Sequence, residues 1–173
     1  MSNAMLGTAV LGKMELGSEP GLFSELITDR TQAHVNLLKR LLKKPWTSMT
    51  ASEQEAWYGE AAKGAYNYTD LNRVETAVGV LSDMLDLNLE TKTNWTIWDR
   101  PTRGEMDRYL GNVAKIRNMC LSVPNIPTLP SSMDNLNYND ANNIELVLLL
   151  AYETYRLVSA AWIRSGEVYS GEV

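Results

Sequence analysis

The segment from Tyr138 to Ile163 constrains the fold more than any other part of the chain. Its Ile144, Val147, Leu148, Ala151, Tyr155, Val158 and Trp162 recur at the three- and four-residue spacing of one helix face. Leu146, Leu149, Leu150 and Leu157 add a second apolar flank. At 1.5 Å of rise per residue the helix spans roughly 39 Å. A helix apolar on two sides is either central in its bundle or shared with another subunit. Both outcomes demand helical neighbours.

The rest of the chain supplies them. Asp29 to Lys44 reads as a helix with Val35, Leu38, Leu41 and Leu42 on one face, stopped by Pro45. Lys39, Arg40, Lys43 and Lys44 crowd its end, where cations complement the helix dipole. Thr50-Ala-Ser-Glu53 is a capping box that opens a second helix carrying Trp57 and fading near Gly64. A third helix starts at Thr69 or Asp70 and sets Leu71, Val74, Val78, Leu81 and Leu85 in an unbroken stripe. A second capping box, Thr102-Arg-Gly-Glu105, opens a fourth, with Met106, Leu110, Val113 and Arg117 or Ile116 along one side. Pro124, Pro127 and Pro130 stiffen the loop before the long fifth helix, and Asn137 with Asp140 caps that helix. Residues 88–101 lose helical period and predict an extended segment with a short hairpin near 89–100. The expected architecture is all-α: about five helices in a small bundle.

Both ends are glycine-punctuated. Leu6-Gly7, Leu11-Gly12 and Leu16-Gly17 repeat with a period of five, which suits neither helix nor plain strand. Ser165-Gly-Glu-Val168 and Ser170-Gly-Glu-Val173 repeat at the other end. The division expected is an extended arm over 1–27, a helical domain over 28–164 and a tail over 165–173. Ser2-Asn3-Ala4 ahead of Met5 reads as a tag scar. The ends are either frayed or built to dock on a partner. With docking, Leu6, Leu11, Leu16, Val168 and Val173 join Leu146, Leu149, Leu150 and Leu157 as candidate interface residues.

Composition narrows function by exclusion. A net charge of −5 argues against a nucleic-acid binder or an anionic-membrane binder. The longest apolar run, Leu146 to Tyr152, is far short of the about 20 residues a membrane span needs, and no signal peptide is legible. One cysteine, Cys120, and one histidine, His34, leave no recognisable zinc set. The oxygen-rich run Asp134 to Asp140 fails as a calcium loop, because Asp140 stands where glycine belongs and Leu146 where a bidentate Glu belongs. Phosphate-cradling glycine motifs are absent. Catalytic, cofactor and metal residues are therefore expected to be none. Five Trp and eight Tyr stand against one Phe. Aromatics with a polar handle suit interfaces and sugar stacking. Trp95 and Trp98 are the candidates for exposure, with packing under the loop as the competing role.

Several strings, in order, carry a resemblance: Thr28-Asp29-Arg30-Thr31, Gly64-Ala65-Tyr66-Asn67, Asp70-Leu71-Asn72-Arg73-Val74, and Trp95-Thr96 with Asp99-x-Pro101-Thr102. Met106, Arg108-Tyr109-Leu110, Asn112-Val113, Ser132-Met133-Asp134-Asn135-Leu136 and Asp140-Ala141-Asn142-Asn143-Ile144-Glu145 continue it. Together with the Leu-Gly pentads and the Ser-Gly-Glu-Val ending, they resemble an uncharacterised helical module in tail-region structural proteins of phages and prophages of Gram-positive bacteria. His34 departs from the acidic residue expected there. The resemblance implies a non-enzymatic structural or interaction component of a tail assembly. It would be located in the virion and, before assembly, in the cytoplasm of the bacterial host. Its partners would be other tail proteins and further copies of itself. A carbohydrate-binding module reading the host wall is the alternative.

Overall fold

In the computed structural model, residues 20–120 and 123–168 are described. They are all-helical, with no strand among them: α1 (Pro20–Ser24), α2 (Gln32–Leu41), α3 (Ala51–Tyr58), α4 (Tyr68–Met84), α5 (Arg103–Met119) and α6 (Tyr138–Val168). Two short 3₁₀ turns, Trp46–Ser48 and Ala62–Gly64, complete the set.

Helix starts follow their caps. Thr50 and Thr102 each accept from the backbone N–H three residues on, and Glu53 and Glu105 reach back to them. Asn67 with Asp70 does the same for α4. Asn137 Oδ1 accepts from Asn139 and Asp140 N–H, and Asp140 accepts from Asn137 N–H in return. A cap at Thr31 starts α2 three residues later than periodicity suggested, and its box is completed by His34, whose Nδ1 accepts from Thr31 N–H.

The main core lies between α1, α4, α5 and α6. It holds Phe23, Leu71, Val74, Val78, Leu81, Tyr109, Val113, Ile116, Ile144, Val147, Leu148 and Ala151. The stripe of α4 and, on α6, Ile144, Val147, Leu148 and Ala151 pack as expected, whereas the side chain of Trp162 lies outside the described residues. A second, smaller core of Leu41, Met49 and Ala61 sits beneath α2 and α3 and makes a satellite lobe. Gly64 is required where the lobe closes on itself, since a Cβ there would sit 2.4 Å from the His34 carbonyl oxygen.

Three expectations need correction. The extended arm does not reach residue 27, because α1 begins at Pro20 and both Phe23 and Leu26 are buried in the main core. Phe23 stacks on Tyr152 with centroids 3.9 Å apart. The helical domain therefore takes in residues 20–27, and a sixth, short helix joins the expected five among the described residues.

The second helix is also shorter than expected, ending at Tyr58 with a separate turn at Ala62–Gly64.

Finally, no hairpin forms near 89–100. Side chains of the adjacent helices take the place of a second strand. Ser82 Oγ accepts from Leu89 N–H, and Glu75 accepts from Lys92 N–H. Arg108 and Asn112 both donate to the Glu90 carbonyl. Backbone groups need partners, and here polar side chains of α4 and α5 provide them. Asp86 and Asn88 take positive φ at the start of this segment, a conformation Asx residues tolerate.

Candidate functional site

The predicted interface residues on α6 separate. Leu149 packs against the main core. Leu146 and Leu150 are half-buried, and Leu157 is 72% exposed with Val158 beside it also exposed. At 100° per residue, Leu146, Leu150 and Leu157 fall within 40° of one another, on the face opposite Ile144, Leu148 and Ala151. From Arg156 to Ala161 every side chain but Ser159 is exposed, so α6 stands clear of the bundle there. Val158, expected on the core face, is exposed because the core has ended. Val168 is the last residue of α6, whereas Leu6, Leu11, Leu16 and Val173 lie outside the described residues.

The two tryptophans also separate. Trp95 is 3% exposed and therefore is not a surface aromatic. Asn72 holds its backbone from both sides, accepting from Trp95 N–H at 2.7 Å and donating to its carbonyl at 2.8 Å. The Lys92 ammonium lies 3.6 Å from the centre of its ring. Trp98 is 88% exposed, next to exposed Ile97. Two shallow clefts, of about 490 and 250 Å3, share Tyr66, Leu71 and Pro101. Tyr68, Thr96, Ile97 and Asp99 line the smaller one. Asp99 is held below the usual carboxylate range by the backbone N–H and then the hydroxyl of Thr96.

The feature that periodicity missed is a buried polar cluster where the N-terminal segment meets α4 and α6. Glu145, fully buried, accepts four hydrogen bonds: Ile27 N–H at 2.7 Å, Arg30 Nη2 at 2.7 Å, Arg73 Nε at 2.9 Å and Arg73 Nη2 at 2.8 Å. Asp70 pairs with the same two arginines and accepts from Asn67 N–H. Asn142 clamps the backbone of Arg30, accepting from its N–H and donating to its carbonyl. Arg30 also lies over the Tyr66 ring, whose hydroxyl meets that of Tyr109. Burial pushes both phenols far above their ordinary range, and the nearby carboxylate Glu145 adds to the effect. Burial would lower the Arg73 pKa, but Glu145 and Asp70 outweigh it and hold the guanidinium charged. On the far side of α4, buried Glu75 takes a two-pronged bond from Arg108.

Buried charge is tolerated only when paired and fully hydrogen-bonded. Every charge in both clusters is paired and the carboxylates are spent on their partners, although Arg30 Nε is buried without a hydrogen bond. The cluster therefore fastens; it has no free acid or base to offer a substrate. Most of its members belong to the strings that carry the resemblance: Arg30, Tyr66, Asp70, Arg73, Tyr109, Asn142 and Glu145. The signal lay in polar residues at core-facing positions of α4 and α6, which a search for apolar spacing passes over.

His34 is a cap residue, with Nε2 2.7 Å from the Glu60 carboxylate. Cys120 is buried, and burial raises its thiol pKa. Among the described residues no group of three or more His, Cys, Asp or Glu side chains is arranged to hold a metal ion. No helix among them is long and apolar enough to cross a membrane. Comparison of the chain with protein-family models, with curated proteins and with solved structures finds no match.

Proposed function

We propose that the chain is a non-enzymatic structural and interaction component of a phage or prophage tail. In this reading it assembles in the bacterial cytoplasm and resides in the virion, joined to other tail proteins and to copies of itself. The observation that carries the interaction role is the outward stripe of Leu146, Leu150 and Leu157, on a helix that continues past its own bundle. Apolar groups clustered on an exposed helix face mark a contact surface. The paired ion cluster supports a scaffold over an enzyme, since its charges serve to hold the N-terminal segment in place. The link to a phage tail rests on the ordered strings described above.

The test is sedimentation velocity across micromolar concentrations with Leu150→Glu and Leu157→Glu. Dissociation of an oligomer with helicity intact supports the reading. A chain that is monomeric throughout, or one unfolded by Leu157→Glu, assigns the stripe to some other role.

One observation favours a second reading, host carbohydrate recognition: Trp98 stands exposed between Ile97 and Asp99, which line the smaller cleft. An exposed indole offers a flat face for sugar stacking. Pelleting with purified cell walls separates the two. Loss of wall binding in Trp98→Ala, with the oligomer unchanged, would favour the sugar reader.

A further inference from the structure

The satellite lobe differs from the rest of the molecule in charge and surface. Residues 31–64 carry five cations against three carboxylates, although the whole chain has a net charge of −5. Lys39, Arg40 and Lys43 are exposed, and none has a carboxylate within ion-pair distance among the described residues, whereas Lys44 is paired with Glu53. The helix dipole accounts for cations in the last turn of α2, but its influence fades beyond that turn, and Lys43 follows the helix cap Leu42. It also leaves the apolar neighbours unexplained. Leu42 is 64% exposed and Tyr58 75%, and Trp46 is exposed as well, set edge-on to Trp57 and Tyr58. Tryptophan, tyrosine and arginine on a surface are the residues that dominate protein contacts.

We infer that this lobe docks residues 165–173 of a second copy of the chain. That segment reads Ser-Gly-Glu-Val-Tyr-Ser-Gly-Glu-Val: two glutamates, Val168, Tyr169 and Val173, and no cation. Acid and apolar groups alternate in it as the lobe requires. Its first four residues are the end of α6, which stands clear of its own bundle from Arg156 to Ala161, and residue 168 lies about 25 Å along the axis from Ala151. Charge separation within one chain makes copies complementary, lobe to body, and steers their encounter. The same acidic body opposes docking on an anionic lipid surface or nucleic acid. Because lobe and tail are different patches, the contact closes into a pair when two copies exchange tails and otherwise builds a ring or a filament.

The inference rests on the preceding reading only in that copies of the chain meet; the surface is a different one. Charge reversal on the full-length chain tests it by sedimentation velocity at about 50 mM and about 500 mM salt, with far-UV ellipticity as the folding control. Arg40→Glu with Lys43→Glu should weaken association roughly tenfold, and Glu167→Lys with Glu172→Lys should do the same. Mixing the two double variants should restore association between them. High salt should weaken the wild type and leave the variants unchanged. Four results overturn the inference. One is a wild type that remains monomeric. Another is association indifferent to both reversals while Leu157→Glu abolishes it, which leaves the stripe as the contact. A third is failure of the mixture to recover. The last is a lobe reversal that removes binding to phosphatidylglycerol vesicles without touching self-association.

Discussion

The main bundle and the satellite lobe show two ways of holding helices together. The bundle buries a continuous apolar core and, within it, two networks of paired charges that join segments far apart in sequence, Arg30 to Asp70 and Glu145, and Glu75 to Arg108. The lobe buries three side chains, Leu41, Met49 and Ala61, and leaves much of its aromatic surface outside. It closes on itself at the tight backbone approach of Gly64 to His34 and is tied at its edge by Lys63 to Asp29 at 2.7 Å. A core that small cannot sustain an independent fold. The contrast teaches that the bundle is built for permanence and the lobe for display.

The largest effect expected is at Glu145. Removing its carboxylate leaves Arg30 and Arg73 to share Asp70 alone and strips the Ile27 N–H of its acceptor, which costs about 3–5 kcal/mol. Urea unfolding of Glu145→Ala checks this, and a loss under about 1 kcal/mol would mean that the cluster is not what fastens the N-terminal segment.

Leucine truncation compares the two cores directly. Leu81→Ala in the bundle should cost about 2–5 kcal/mol globally. Leu41→Ala should instead release the lobe alone, read as faster amide exchange over residues 32–64 with protection in α4 and α6 kept. Equal loss of protection in both regions would show that lobe and bundle unfold as one unit.

Asn72→Ala should cost about 1–3 kcal/mol by orphaning both backbone groups of Trp95. It should also shift tryptophan emission to the red as that indole gains water. An unchanged spectrum would mean that the segment over α4 holds without Asn72.

The smallest effect belongs to pH. The Thr102 backbone N–H, then the Thr102 hydroxyl and Lys92, bring the Glu105 carboxyl down to about 2 from its usual 4.5. A lowered folded pKa means that this cap stabilises above pH 4.5 and that its contribution is lost as the pH falls from there toward 2. Melting temperature followed across that window should fall less steeply in Glu105→Gln than in the wild type; parallel curves would assign the acid sensitivity elsewhere.

Local rules written in the sequence determined most of the helices, because caps and periodicity act within a few residues. Thr50, Thr102 and Asn137 begin helices where they should, and the Leu71–Leu81 stripe and the Ile144–Ala151 face are buried as their spacing demanded. The failures have a common cause. Trp95 went inside because Asn72, 23 residues away, satisfies its backbone. Phe23 and Leu26 joined the core because Glu145 and Asn142, more than 100 residues away, bind the chain that carries them. The segment 89–100 stayed a single strap because Glu75, Arg108 and Asn112 offered the hydrogen bonds a strand partner would have given. Apolar spacing can be read along one helix, whereas a polar residue at a buried position acquires its role only when distant segments converge. That convergence was decided by the tertiary structure.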